Sequence, residues 1–106
     1  MSQFDIYITC VSWGSGSKNR PILVFLFNDT NVLVYPITTR FANKSKEIQK
    51  QYFKINEWSK ASLERLSYID TGTLIKLPLT AISGREPIGR LTTADKQRLL
   101  DFLLKN

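Results

Sequence analysis

Two apolar runs, Pro21 to Phe27 and Val32 to Ile37, are separated only by Asn28-Asp29-Thr30-Asn31. This arrangement constrains the fold more than any other feature of the chain. Asn and Asp side chains bond backbone groups two residues on, so the tetrapeptide has turn chemistry. Two short strand-like runs joined by such a turn form a β-hairpin. The first run is continuously apolar, which makes it a candidate central strand. Pro21 falls at its first residue, where a missing N–H costs least. Pro36, near the end of the second run, predicts a strand that stops there or lies at an edge.

The other elements are placed around this hairpin. Phe4 to Trp13 is rich in β-branched and aromatic residues and reads as a first strand. Gly14 to Asn19 reads as a flexible loop. It lacks the glycine–lysine spacing of a phosphate-cradling loop, and no helical pattern follows it. Gln51 to Ile55 reads as a short strand. Asn56 to Leu66 reads as a short helix with Trp58, Ala61 and Leu66 inward. Ile69 to Leu79 is a strand region broken by Gly72 and closed by Pro78, and Ser83 to Pro87 is a loop. Thr92 and Asp95 resemble a capping box with Asp in place of Glu. Leu99, Leu100, Leu103 and Leu104 then give i, i+4 pairs on one face, which predicts a helix from about Thr93 to Leu104.

A chain of 106 residues accommodates one domain, spanning 1–106, with a modest core. The expected class is α+β, mostly β. It is a small five- to six-stranded antiparallel barrel-like sheet with a short middle helix and a C-terminal helix covering one side.

Composition narrows the function. Fifteen Lys and Arg against nine Asp and Glu give a formal charge of +6, which favours a polyanionic partner. Between Arg40 and Lys60, six basic residues face two acidic ones. The chain has no histidine, so His-based triads, His general bases and the usual zinc sites are excluded. The expectation is no metal and no cofactor. Cys10 is the only cysteine, which rules out an internal disulfide and fits a reducing cytoplasm. Its place in an apolar strand predicts a buried filler. No signal-peptide pattern opens the chain, and no apolar run approaches the roughly 20 residues of a membrane helix.

Three segments carry chemistry. In Lys18-Asn19-Arg20-Pro21, an Arg stands where the loop enters the central strand. From an anchored position it can present a fork of donors to a phosphate. In Pro36-Ile37-Thr38-Thr39-Arg40, two hydroxyls and a second Arg follow the second apolar run. The hairpin returns this end beside Arg20. In Ser67-Tyr68-Ile69-Asp70-Thr71-Gly72, a carboxylate stands among hydroxyls. Asp70 is either a base or orienter, or the centre of a turn bonding nearby backbone N–H groups.

The segments GSGSKNRPILVF, VYPITTRFANKS, SYIDTGTLIKLP and IGRLTTAD, in this order and spacing, resemble the MazF/PemK toxins of bacterial toxin–antitoxin pairs. The resemblance runs from about Asp5 to Leu104. It implies a small five-stranded barrel, a homodimer, RNA crossing the dimer face, and inhibition by an antitoxin whose flexible tail occupies that face. It carries two functional positions over: the Arg of the family's Arg-Pro motif falls on Arg20, and the Thr ending its aliphatic–Ile–Thr strand falls on Thr38. One departure is plain. Many members have an Arg-Thr pair where this chain reads Ile75-Lys76-Leu77, and Lys76 supplies a point charge rather than a bidentate clamp.

Without histidine or metal, the simplest cleavage route is attack by the RNA 2′-hydroxyl on the adjacent phosphorus, and the resemblance implies the same 2′,3′-cyclic phosphate and 5′-hydroxyl products. The expected catalytic residues are Arg20 and Thr38, with Asp70 as a candidate base. The expected contacts to single-stranded RNA are Lys18, Asn19, Thr39, Arg40, Lys44, Lys46, Ser67, Tyr68 and Lys76. Trp13, Phe41 and Tyr68 are candidate stacking platforms. Composition alone also fits a non-catalytic nucleic-acid-binding barrel. The same fold carries gyrase-inhibiting toxins of the CcdB type, and a relative that kept the fold and lost the chemistry is a third alternative.

Overall fold

The two apolar runs form the middle of the sheet in a computed structural model, which describes residues 1–13 and 16–105, with the backbone alone at 11–13 and 17. Strands β1 (Asp5–Trp13), β2 (Gly16–Phe27) and β3 (Asn31–Thr38) form an antiparallel meander. Helix α1 (Lys46–Gln49), β4 (Tyr52–Lys54), β5 (Tyr68–Asp70), β6 (Ile75–Pro78), a 3₁₀ turn (Leu79–Ala81), β7 (Gly89–Arg90) and helix α2 (Thr93–Lys105) follow. The seven strands make one antiparallel, curled, half-barrel sheet in the order β4-β5-β3-β2-β1-β7, with β6 also on β3.

The continuous apolar runs are explained by burial on both faces. Leu23, Tyr35 and Ile37 join one cluster with Phe4, Ile6, Phe53, Ile69 and Leu99. Their strand neighbours Ile22, Val24, Val32 and Val34 join a second cluster with Tyr7 and Ile82. The β2–β3 register shifts between Val24 and Leu26, leaving Phe25 as an extra residue. Such a bulge bends and twists its strand, which suits a curled sheet. Phe25 turns inward onto Tyr35, with ring centroids 5.2 Å apart. Beyond the bulge, Leu26 and Phe27 lie exposed.

The expected turn is built on Asn28. Its Oδ1 accepts from the N–H groups of Thr30 at 2.9 Å and Asn31 at 2.8 Å. Pro36 does not mark a strand end. On its outer side β3 pairs with β6 through Asn31–Val34 and with β5 through Ile37 and Thr38. Pro36 lies at this changeover, a break in the ladder that tolerates a residue without an N–H.

Four local expectations are corrected. Gly16 to Asn19 is strand rather than loop, pairing with Cys10 to Trp13; Gly14 and Ser15 lie outside the described residues. Cys10 is exposed rather than buried, because strand alternation puts it on the face of exposed Ile8, opposite buried Thr9. Asn56 to Leu66 is not a helix. It makes one helical turn, from the Glu57 carbonyl to the Ala61 N–H at 3.2 Å, which ends at Ser62. Ser62 takes a φ of 68°, while Leu63 N–H bonds the Trp58 carbonyl and Ser62 N–H bonds the Ser59 carbonyl, each at 3.1 Å. This Schellman pattern stops the helix, and Leu66 is left exposed. The fourth correction concerns α2. Leu99 is fully buried and Leu103 packs on the core, whereas Leu100 and Leu104 are exposed.

Helix α2 is tied to the sheet by polar contacts. Thr92 Oγ1 accepts from Asp95 N–H at 3.3 Å, the expected cap. The buried Asp95 carboxylate does not complete a capping box. It accepts from the N–H groups of Asn56 and Glu57, at 3.3 and 2.8 Å, and from Arg98 at 2.6 Å. Gly89 lets β7 close against the 57–61 turn: a Cβ there would stand 2.3 Å from the Ala61 carbonyl oxygen. Among the described residues, no helix is long and apolar enough to cross a membrane.

Candidate functional site

The hairpin register builds the site. Ile22 pairs with Pro36. Continuing that antiparallel register outward brings Arg20 on β2 opposite Thr38 at the end of β3. The two residues line one pocket of about 150 Å³ together with Lys18, Asn19, Pro21, Ile37, Thr39, Arg40 and Ser67. Ile37 and Pro21 supply apolar floor and wall. Lys18, Asn19, Thr39 and Arg40 are exposed at the rim, and Arg20 and Thr38 are half-buried. The rim and wall thus carry three cations and several hydroxyl or amide groups. That combination suits an oxyanion such as a phosphodiester.

Thr38 is fixed locally. Its Oγ1 accepts from the Arg40 N–H at 3.1 Å, which folds the chain back after the strand. Accepting this bond leaves the hydroxyl proton available to donate. Ser67, just before β5, is buried in the pocket wall and donates to the Arg65 carbonyl at 2.9 Å.

A group of rings borders the pocket. Tyr68 pairs with Thr38 across the β3–β5 ladder. Phe41 stacks on Tyr68 with centroids 4.4 Å apart and ring planes 12° from parallel. Tyr52, which pairs with Asp70 on β4–β5, tilts against Phe41 at 6.3 Å. Burial pushes the Tyr52 phenol above its ordinary pKa and Asp70 adds to that shift, while Arg20 pulls it back down. Arg20 therefore acts electrostatically toward the ring group as well as into the pocket. Sequence reasoning missed Tyr52. The available signal was period-two alternation, which puts Tyr52 and Lys54 on the face opposite buried Phe53.

The remaining candidates fall elsewhere. Asp70 is not in the pocket wall. Its Oδ1 accepts from Gly72 N–H at 3.0 Å and its Oδ2 from the Thr73 hydroxyl at 2.8 Å, so it forms the turn between β5 and β6. Lys44 lies in the turn after Phe41, and Lys46 begins α1, capped by Ser45; neither lines the pocket. Lys76 sits on β6 opposite Leu33, five residues along β3 from Thr38, or roughly 16 Å of strand. It borders a separate hollow with Leu26, Phe27 and Asn31, so it does not stand in for an arginine beside Arg20. The Trp13 side chain lies outside the described residues. A further hollow, of about 450 Å³, abuts the pocket through Pro21, Thr39 and Ser67 and is walled by aliphatic groups of Ile8, Leu63 and Ile88.

Among the described residues, no three Asp, Glu or Cys side chains are grouped as a cation site. Comparison of the chain with models of known protein families and with curated protein sequences finds no match to either.

Proposed function

We propose that the chain is a metal-independent endoribonuclease that cuts single-stranded RNA, acting in the cytoplasm as the toxin of a MazF/PemK-type toxin–antitoxin pair. One observation carries this reading: Arg20 and Thr38, the two positions the family resemblance singles out, line the same pocket. They arrive there from different strands.

The chemistry needs little from the protein beyond alignment and charge stabilisation. The substrate's 2′-oxygen forms a bond to the adjacent phosphorus and loses its proton. The bond from phosphorus to the 5′-oxygen breaks, and that oxygen gains a proton. A 2′,3′-cyclic phosphate and a 5′-hydroxyl result. The pocket's contribution is to hold the phosphate for in-line attack and to stabilise the extra charge on its oxygens. Arg20 supplies a fork of donors that can make paired bonds to phosphate oxygens. Thr38 donates its hydroxyl proton to a second oxygen, its own oxygen already held by the Arg40 N–H. A guanidinium offers donors and no acceptor, which makes Arg20 a stabiliser rather than a base. Asp70 is occupied in its turn and takes no step in this reading.

Lys18 and Arg40 at the rim, with Lys44 and Lys46 on the following turn, extend the positive surface along which a phosphate backbone would run. Asn19, Thr39 and Ser67 add polar wall. A homodimer placing two such pockets on one face, and an acidic antitoxin tail covering it, complete the reading.

The test is incubation of the purified chain with end-labelled single-stranded RNA. The expected result is cleavage that survives chelator and leaves cyclic-phosphate and 5′-hydroxyl ends. Binding without cleavage would replace this reading with that of a binding module. Absence of both, with gyrase inhibition in a parallel assay, would point to the gyrase-poison alternative.

A further inference from the structure

We propose that Phe41 and Tyr68, with Tyr52 tilted against Phe41, form a docking subsite for an unpaired nucleobase attached to the nucleotide whose phosphate occupies the Arg20–Thr38 pocket. The proposal rests on the RNA reading above and adds where, beside the phosphate, a base is held.

Continuity with the pocket is the first argument. Each ring of the stacked pair is the next residue after a pocket-lining one: Phe41 follows Arg40 and Tyr68 follows Ser67. Tyr68 also faces Thr38 across the β3–β5 ladder. A nucleotide whose phosphate sits between Arg20 and Thr38 has its sugar and base within reach of this flank. The adjoining hollow walled by Ile8, Leu63 and Ile88 is lined by no aromatic ring among the described residues.

The second argument is that the rings are not core fillers. None of the three belongs to either buried cluster, and each is only half-buried. Large aromatic rings left at the surface normally gain by packing inward. Here they are held together at the surface. The Phe41 carbonyl accepts from Lys44 N–H at 3.0 Å and from the Gln49 side chain at 2.9 Å, which fixes the loop carrying Phe41. Tyr68 is fixed by strands on both sides, β3 and β4. Phe41 and Tyr68 are too close for a base to slide between them, so the base extends the stack rather than entering it. Every base has a π-face, so this contact holds any unpaired base and excludes a paired one.

The experiment separates this subsite from the cleavage reading by using ligands that cannot be cut. Affinity is measured for a 2′-deoxy single-stranded oligonucleotide and for an abasic oligomer of the same length, at the same salt. Wild-type protein should hold the base-bearing oligomer about tenfold or more tighter than the abasic one. Tyr68→Ala and Phe41→Leu should each remove most of that difference by weakening the base-bearing oligomer far more than the abasic one, and Tyr68→Phe should retain it. Arg20→Ala should weaken both oligomers. Equal wild-type affinity for the two oligomers overturns the subsite but leaves phosphate binding standing, as does equal weakening of both by Tyr68→Ala and Phe41→Leu. Failure of wild-type protein to bind either oligomer overturns the subsite and the RNA reading together. Phe41 lies in a loop, so its variant keeps the test open should Tyr68→Ala fail to fold.

Discussion

Arg20 and Thr38 meet in one pocket because Ile22 pairs with Pro36, two residues inward on each strand. The pocket is therefore a product of hairpin register. A one-residue slip would send Arg20 to the opposite face of the sheet. The bulge at Phe25 lies on the turn side of this pairing, and the register from Ile22 to Val24 is uninterrupted.

Replacing Arg20 with Ala should cut single-stranded RNA cleavage by on the order of 10²–10³ or more, the usual effect of losing one donor to a charged transition state. Arg20→Lys should recover only part of it, since an ammonium cannot make paired bonds to two phosphate oxygens. Circular dichroism and melting should show both variants folded, because Arg20 belongs to neither apolar cluster. An Arg20→Ala protein that cleaves at near-normal rate removes this residue from the mechanism.

Thr38 has two tasks that substitution can divide. Thr38→Ser keeps both the acceptor for the Arg40 N–H and the hydroxyl donor, and should retain most activity. Thr38→Val keeps the shape and loses both. It should lower the cleavage rate by roughly tenfold or more. Equal activity in the serine and valine variants would show that the hydroxyl does no chemistry.

Stability rests partly on Asp95, whose buried carboxylate links α2 to the chain after β4. Asp95→Ala would leave the Asn56 and Glu57 N–H groups without their acceptor. Arg98 is 42% exposed and can be hydrated, so the loss should be about 2–3 kcal/mol, from the orphaned N–H groups. Urea denaturation measures it. Asp95→Asn, which keeps one carbonyl acceptor, should lose less. Neither variant touches the pocket, and a change in cleavage rate for folded protein would contradict the separation of the two regions.

The parts of the fold legible in the sequence are those set by local chemistry. Asn28 announced its turn, Gly72 and Pro78 bounded β5 and β6, and Thr92 marked the start of α2. Arg20 and Thr38 were legible because a hairpin converts sequence separation into proximity. What could not be read depends on distant parts of the chain. The 56–66 segment has helical periodicity, but Ser62 in a left-handed conformation ends the turn so that Ala61 can meet Gly89. Leu100 and Leu104 fit a helical stripe as well as Leu99 and Leu103 do, and only the placement of α2 on the sheet decides which pair is inside. Phe41 and Tyr68 were legible singly as stacking platforms, but their contact with each other and with Tyr52 joins three segments that no spacing rule connects. By the family resemblance Lys76 falls where an arginine is absent, yet β6 pairs at the other end of β3.

Glu57 gives a pH-dependent contact at the start of α2. The Thr92 hydroxyl donates to its Oε1 at 2.6 Å and the Lys60 ammonium to its Oε2 at 3.0 Å. These bonds, Thr92 first, hold its carboxyl below the ordinary pKa, against a smaller opposing effect of desolvation. A carboxyl whose pKa is lower folded than unfolded stabilises the fold above the unfolded value, about 4.3, and that contribution disappears as pH falls through the folded value. The expected result is a modest acid-side loss of stability that Glu57→Gln abolishes. Thr92→Val removes the largest cause, so the Glu57 midpoint, followed by carboxyl NMR, should move up toward the ordinary range. Thr92→Val also removes the α2 cap and should lower stability by about 0.5–2 kcal/mol at every pH, whereas Glu57→Gln leaves the cap in place. A Glu57 midpoint unmoved in Thr92→Val would mean that the hydroxyl bond is absent in solution and that the 57–61 turn is held to α2 by Asp95 and apolar packing.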